Sequence, residues 1–147
     1  MAYRTFFSFH YQRDIWRVNI VRNSNIIDGA AAAGWHDASL WEEVKRQGDA
    51  AIKRLIDKGL ERTSVTVVCI GAQTASRKYV GYEIEQSAAR GNALLGVRIH
   101  HLRDQYGNSD TAGAIPALLT SFRAPVINFT TADDLGRQIE RMVTGRG

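Results

Sequence analysis

Two residues with the chemistry of a binding or catalytic site, Tyr79 and Glu83, stand one helical turn apart on a predicted helix over residues 76–91. This helix follows residues 65–71, a short β-branched run without polar alternation, which predicts a strand buried on both faces. Glu83 lies beside the apolar stripe of the helix, so its carboxylate can point toward the carboxyl end of that strand. The ordinary alternative is a glutamate in solvent.

Strands and helices alternate along the rest of the chain. Asp14 is expected to cap the first helix with Arg17 facing outward, and Ser76 is expected to cap the helix that ends at Gly91. Gly59 is the expected stop of the second long helix. The predicted strands lie at residues 3–9, somewhere within 24–39, and at 65–71, 94–99 and 126–129. The predicted helices lie at residues 14–23, 49–58 and 76–91, near 116–120, and after Thr130 or Thr131.

This alternation predicts one α/β domain over residues 1–147, because strands separated by helices need crossover connections and form a mostly parallel sheet. Five strands point to a flavodoxin-like three-layer sandwich with strand order 2-1-3-4-5. In that order the winding of the sheet reverses between strands 1 and 3, and ligands bind outside the carboxyl ends of the strands at that point.

The predicted crevice brings separate parts of the sequence together. Phe9, His10 and Tyr11 follow strand 1, and residues 71–77 follow strand 3, with Glu83 on the helix beyond. An aromatic platform, basic side chains and a carboxylate would therefore face one cleft. We expect a small-molecule site there.

Composition and missing motifs exclude several other classes. The net charge of +4 is spread along the chain, which weakly favours anionic ligands but does not indicate nucleic acid binding. No phosphate-binding GxxxxGK[ST] loop, GxGxxG fingerprint or nucleophile elbow is present. The four histidines lack zinc-like spacing, so we expect no metal. Without a signal sequence or a long apolar span, we expect a cytoplasmic protein with no membrane partner.

Three separated segments resemble the TIR-like family of bacteria and phages, especially the TIR proteins of the Thoeris antiphage systems. They are RTFFSFHYQRDIWRVNIVRNSN, WHDASLWEEV and RKYVGYEIEQSAARGNALLGVRIH, and together they cover most of residues 3–101. TIR domains have the flavodoxin-like topology predicted above. The C-terminal third of the chain matches the family only in its strand and helix pattern.

The resemblance implies an enzyme that cleaves NAD at the bond between nicotinamide and ribose, with NAD as substrate and no other cofactor. In the Thoeris proteins the product is a cyclic ADP-ribose-type signal for a partner effector. The residues that match the catalytic glutamate and its preceding aromatic are Glu83 and Tyr79. Many relatives carry tryptophan where this chain has Tyr79.

The resemblance also suggests substrate contacts around Glu83. Phe9 could stack on nicotinamide or adenine, and Arg77 could meet the pyrophosphate, as could Arg13 or Lys78. His10, Asp14 and Tyr79 complete the predicted substrate-binding set. The alternatives are a core role for Phe9, solvent exposure for the basic residues, and loop and helix-cap roles for His10 and Asp14.

Two other functions stay open on the sequence. A non-enzymatic TIR-like adaptor would use the same fold to self-associate or to bind another protein. A nucleotide-binding or nucleic-acid module is compatible with the basic charge but lacks a clustered basic stripe with aromatics. Enzymatic TIR domains commonly assemble on activation, and residues 24–39 are the candidate contact segment.

Overall fold

The computed structural model describes residues 3–22, 27–30 and 45–145 of the chain. The strands are β1 (Tyr3–Ser8), β2 (Ile27–Ala30), β3 (Val65–Ile70), β4 (Ala93–Arg98) and β5 (Val126–Asn128). The helices are α1 (Tyr11–Val21), α2 (Asp49–Leu60), α3 (Lys78–Ala89), α4 (Ala117–Ser121) and α5 (Ala132–Thr144). A short 3-10 turn, Thr74–Ser76, lies between β3 and α3.

The strands form one parallel sheet in the order β2-β1-β3-β4-β5. α1 contacts α5, whereas α2 contacts α3 and α3 contacts α4. Two groups of helices therefore cover the sheet, as the crossover connections of a parallel sheet require. The predicted fold class and strand order are confirmed.

β3 is the centre of the core, with all six of its residues buried. Its β-branched side chains favour the extended backbone, and the helices on both faces shield them from water. Val68 and Ile70 pack with Val80, Ile84 and Leu119 in one apolar cluster. This cluster joins β3 to α3 and so fixes the helix that carries Glu83.

The start of α1 differs from the prediction. The helix begins at Tyr11, three residues before the predicted cap Asp14, and its N-cap is His10, whose ring Nδ1 accepts from the backbone N of Arg13 at 3.2 Å. An imidazole nitrogen thus satisfies one of the free backbone donors of the first turn. The predicted capping role of Asp14 is wrong.

Arg17 was expected to face outward, and this expectation is also wrong because only 2% of the residue is exposed. Its guanidinium donates to Asp14 Oδ1 at 3.0 Å and to the carbonyl oxygens of Leu102 at 2.8 Å and Asn108 at 2.9 Å. A buried arginine is stable only when its charge and its donors are satisfied. Helical periodicity alone does not reveal these partners.

Two other predicted helix ends shift. α2 continues through Gly59 to Leu60, and α3 begins after Arg77 rather than after Ser76. The Ser76 hydroxyl instead donates to the carbonyl of Gln73 within the 3-10 turn, at 2.8 Å. Local bonding of this kind competes with helix capping. Gly91 follows the end of α3 with a φ of +82°, in the left-handed conformation that glycine favours.

The short second strand expected within residues 24–39 is β2, and the other residues of that segment lie outside the described ranges, as does the contact predicted for them. The final helix is capped by Thr131, whose hydroxyl accepts from the backbone N of Asp134 at 3.0 Å. Among the described residues, no helix is both long and apolar enough to cross a membrane.

Candidate functional site

The candidate site lies where the carboxyl ends of β1 and β3 meet, at the point where the sheet reverses its winding. Ser8 is the last residue of β1 and pairs with Val68 of β3. After β3 the chain turns sharply, and the backbone N of Gly71 donates to the Thr74 hydroxyl at 2.8 Å. This turn directs the chain into α3, so the first turns of α3 lie close to the end of β1.

The Glu83 side chain points at the end of β1 and not into solvent. Only 6% of the residue is exposed, and the Ser8 hydroxyl donates to Glu83 Oε1 at 2.7 Å. The alternative of a solvated helix glutamate is therefore wrong. A carboxyl group is rarely buried unless it has a partner, because its charged form loses hydration.

Burial raises the pKa of Glu83 to about 8, and the hydrogen bond from Ser8 and the positive charge of Arg77 only partly oppose this effect. Glu83 is therefore largely protonated near neutral pH in the unliganded protein. A cation brought close to it would favour the ionised form and lower its pKa again. The site is thus poised to respond to positive charge.

Arg77 stands at the N-cap of α3 and is half-buried. Burial lowers the pKa of its guanidinium, and the negative charge of Glu83 raises it. The pKa of His10 is lowered by burial first and then by the charge of Arg77, which keeps the imidazole neutral at pH 7. The charge of Arg77 therefore affects the pKa values of two other predicted site residues, Glu83 and His10.

His10 has a defined hydrogen-bonding role in this group. Because its Nδ1 accepts from the backbone N of Arg13, the proton of the neutral ring is assigned to Nε2. Nε2 can then donate to an oxygen of a ligand. The predicted substrate contact of His10 is compatible with its capping role, since the two use different ring nitrogens.

Tyr79 and Lys78 are engaged with α2. The Tyr79 hydroxyl donates to Asp49 Oδ1 at 2.6 Å, and Lys78 Nζ lies 3.0 Å from the same oxygen. The hydroxyl and the two nearby lysines lower the pKa of Asp49, and Asp49 in turn raises the pKa of Lys78. These contacts join α3 to the start of α2. The ligand roles of Tyr79 and Lys78 stay predictions.

Phe9 and Asp14 are enclosed. Phe9 is 7% exposed and packs in the main core, and Asp14 is fully buried against Arg17. Burial is the main reason that the pKa of Asp14 is raised. Arg13 pairs with Asp110 through two bonds of 2.7 and 3.0 Å. The substrate contacts predicted for these three residues stay predictions, and those of Phe9 and Asp14 would need the core to open.

Sequence reasoning missed Ser8, although its hydroxyl donates a hydrogen bond to the Glu83 carboxyl group. A hydroxyl at the end of an aromatic, β-prone segment was the available signal. Its partner lies 75 positions away, so no local pattern indicates the contact.

Two cavities lie among the described residues. One of about 190 Å³ lies between α3 and α4 and is lined by Arg77 with apolar residues that include Val80 and Leu118. The other, of about 280 Å³, is lined by His100, His101 and Asn128 at the ends of β4 and β5. Glu83 does not line either cavity. Within the described ranges, no group of three or more histidine, cysteine or acidic residues could hold a metal ion.

Comparison with known proteins identifies the family. The model of the family described as "Thoeris protein ThsB, TIR-like domain" matches residues 6–104, which include Ser8, Arg77 and Glu83. A Bacillus cereus (strain MSX-D12) protein named "Putative cyclic ADP-D-ribose synthase ThsB1" is 51% identical over 118 residues. That alignment covers 79% of this chain, which spans 62% of the relative's length. The chain belongs to the ThsB family of Thoeris TIR-like domains.

Proposed function

We propose that this protein cleaves NAD at the bond between nicotinamide and ribose and forms a cyclic ADP-ribose-type signal that activates a partner effector in antiphage defence. The observation that carries the proposal is the buried Glu83 carboxyl group, which accepts a hydrogen bond from Ser8 at the end of β1. The ThsB family and the name of the relative support the same reaction.

The chemistry requires one negative charge in the right place. When the bond between C1′ of the ribose and the nicotinamide nitrogen breaks, its electron pair goes to the nitrogen, and nicotinamide leaves as a neutral molecule. The ribose then carries an oxocarbenium-like positive charge, which a nearby carboxylate stabilises. A nucleophilic atom of the same molecule attacks C1′ and loses a proton, which closes the ring. Water in its place would give linear ADP-ribose.

The raised pKa of Glu83 fits this sequence of events. The nicotinamide ring of NAD is positively charged before cleavage, so substrate binding favours release of the Glu83 proton. The ionised carboxylate is then enclosed with little water, and it acts strongly on the charge that develops on the ribose. No other cofactor enters this scheme, in which NAD is the substrate.

Arg77 gives the site a second charged group. Its positive charge lowers the pKa of His10 and opposes the rise in the pKa of Glu83, so it acts on both residues. An arginine fork suits the pyrophosphate of a dinucleotide, and neutral His10 can donate through Nε2 to an oxygen of the same ligand. We propose that these two residues bind the substrate while Glu83 acts on the ribose.

The buried carboxyl group also argues against the adaptor alternative. A glutamate whose pKa is raised to about 8 destabilises the folded protein at neutral pH. A domain that only self-associates gains nothing from that cost. In the enzymatic proposal, self-association would complete the active site.

The test measures release of free nicotinamide from NAD by the wild-type protein, over a series of protein concentrations, and by two variants. Glu83→Gln keeps the shape but loses the charge, and we expect no turnover. Glu85→Gln is the matched control, because Glu85 is an exposed residue of the same helix. Equal turnover by wild type and Glu83→Gln would refute the assignment of Glu83. No nicotinamide release at any concentration, or with extract of phage-infected cells, would favour the adaptor.

A further inference from the structure

The Ser8 hydroxyl is fully buried and makes a contact that the pairing of β1 does not require. β1 pairs with β2 and β3 through backbone groups, whereas Ser8 Oγ donates to Glu83 Oε1 at 2.7 Å. Because this bond lies in an enclosed site, water competes little for either partner. The distance is that of a strong hydroxyl donor to a carboxyl oxygen.

We propose that Ser8 is a positioning residue for Glu83, which holds Oε1 so that Oε2 is the oxygen that meets the positive charge on the ribose. The choice of ribose as the target rests on the proposed NAD cleavage. The hold of Ser8 on the carboxyl group does not depend on the substrate. A glutamate side chain has several rotatable bonds, and a fixed partner removes much of that freedom before the reaction.

The backbone of Glu83 is held by a different pair of hydroxyls. The Ser87 hydroxyl donates to the Glu83 carbonyl at 2.7 Å, and the Thr66 hydroxyl donates to Ser87 Oγ at 2.6 Å. These buried contacts join α3 to β3 one turn beyond Glu83. They involve the backbone of Glu83 and not its side chain. Loss of the Ser87 hydroxyl should therefore weaken helix packing without releasing the carboxyl group. Ser87 is thus the matched control for Ser8.

Ser8 also favours the ionised form of Glu83. A hydroxyl that donates to a carboxylate stabilises its charge, and at Glu83 this contact opposes the effect of burial on the pKa. Removal of the hydroxyl should raise the pKa further, so a larger share of the protein would carry a protonated, unreactive Glu83. The orientation and the charge of the carboxylate would be lost together.

The first experiment needs no substrate. The side-chain carboxyl carbon of Glu83 is titrated by nuclear magnetic resonance in the wild-type chain, Ser8→Ala and Ser87→Ala. We expect the midpoint to move upward by about one pH unit in Ser8→Ala and to stay in place in Ser87→Ala. Ser8→Cys fills a similar volume with a weaker donor, and it should move the midpoint in the same direction. It replaces Ser8→Ala if that variant does not fold.

The second experiment measures nicotinamide release by the same proteins. For Ser8→Ala we expect kcat to fall about 10- to 100-fold with KM little changed, which is the effect of losing a hydrogen bond to a charged group. The rising limb of the pH profile should also move to higher pH. Ser8→Thr, which keeps the hydroxyl, should recover part of kcat.

Three results separate the possible failures. The proposal that Ser8 holds the Glu83 carboxyl group would be wrong if the titration midpoint of Glu83 did not move in Ser8→Ala. It would also be wrong if the midpoint moved equally in Ser87→Ala. A shifted midpoint with unchanged kcat would overturn its role in positioning. If the wild-type protein releases no nicotinamide, the proposed function fails, and the titration still decides whether Ser8 controls Glu83.

Discussion

Replacement of Glu83 by glutamine should stabilise the folded protein at neutral and alkaline pH. Burial raises the pKa of Glu83 from an ordinary value of 4.5 to about 8. Below pH 4.5 the folded and unfolded chains both carry the proton, so Glu83 does not lower the free energy of unfolding. Between pH 4.5 and 8 the unfolded chain releases this proton more readily, which favours unfolding as the pH rises. Above pH 8 both states are ionised and the penalty is constant.

The size of the effect follows from this difference in pKa. Each unit corresponds to about 1.4 kcal/mol, so the penalty reaches about 3 kcal/mol at pH 7. When the pH rises from 5 to 8, the free energy of unfolding of the wild-type protein should fall by about 3.5 kcal/mol relative to that of Glu83→Gln. The glutamine amide oxygen can still accept from Ser8, so the variant keeps the hydrogen bond that the structure shows.

The assay is chemical denaturation of wild type, Glu83→Gln and Glu85→Gln at pH 5, 6, 7 and 8. Other groups titrate in the same range, but they are common to all three proteins, so their effects cancel in the differences. The difference in free energy of unfolding between Glu83→Gln and wild type should grow with pH. For the exposed control, Glu85→Gln, the free energy of unfolding should change with pH as it does in wild type.

Two results would refute this reasoning. A Glu83→Gln difference that stays constant from pH 5 to 8 would show that Glu83 ionises at the same pH in the folded and unfolded chains. A variant that is less stable than wild type at pH 8 would show that the carboxylate stabilises the fold. In either case burial would not control the charge of this group.

Three other substitutions test the core around the site. Val67→Ala leaves a cavity beside β3 and should lower the free energy of unfolding by about 1–3 kcal/mol, whereas Val143→Ala, at a more exposed position, should lower it little. Equal losses of stability in chemical denaturation would contradict the buried position of β3. Gly71→Ala should cost about 1–3 kcal/mol by the same measurement, because the added methyl group overlaps the Asp14 carboxylate, and a neutral result would mean that this carboxylate moves freely. Phe9→Ala should cost about 3–5 kcal/mol in denaturation, and unchanged NAD cleavage by the folded variant would contradict a stacking role for the ring.

The order of the elements was readable in the sequence because each depends on neighbouring residues. The β-branched run of β3 predicts a strand buried on both faces. The periodicity of α3 predicts the helix that carries Glu83, which follows the carboxyl end of β3. Alternating strands and helices then allow few arrangements of a parallel sheet. These local signals were sufficient for the fold and for the position of Glu83 along the chain.

Only the tertiary structure decided which distant groups meet at the site. Ser8 and Glu83 are 75 positions apart, and their contact depends on the placement of β1 beside β3 and on the rotation of α3. The burial of Arg17 likewise depends on the loop carbonyls that it binds, which come from residues after β4. Hydrogen-bond partners are set by packing between elements, and periodicity within one element carries no information about them.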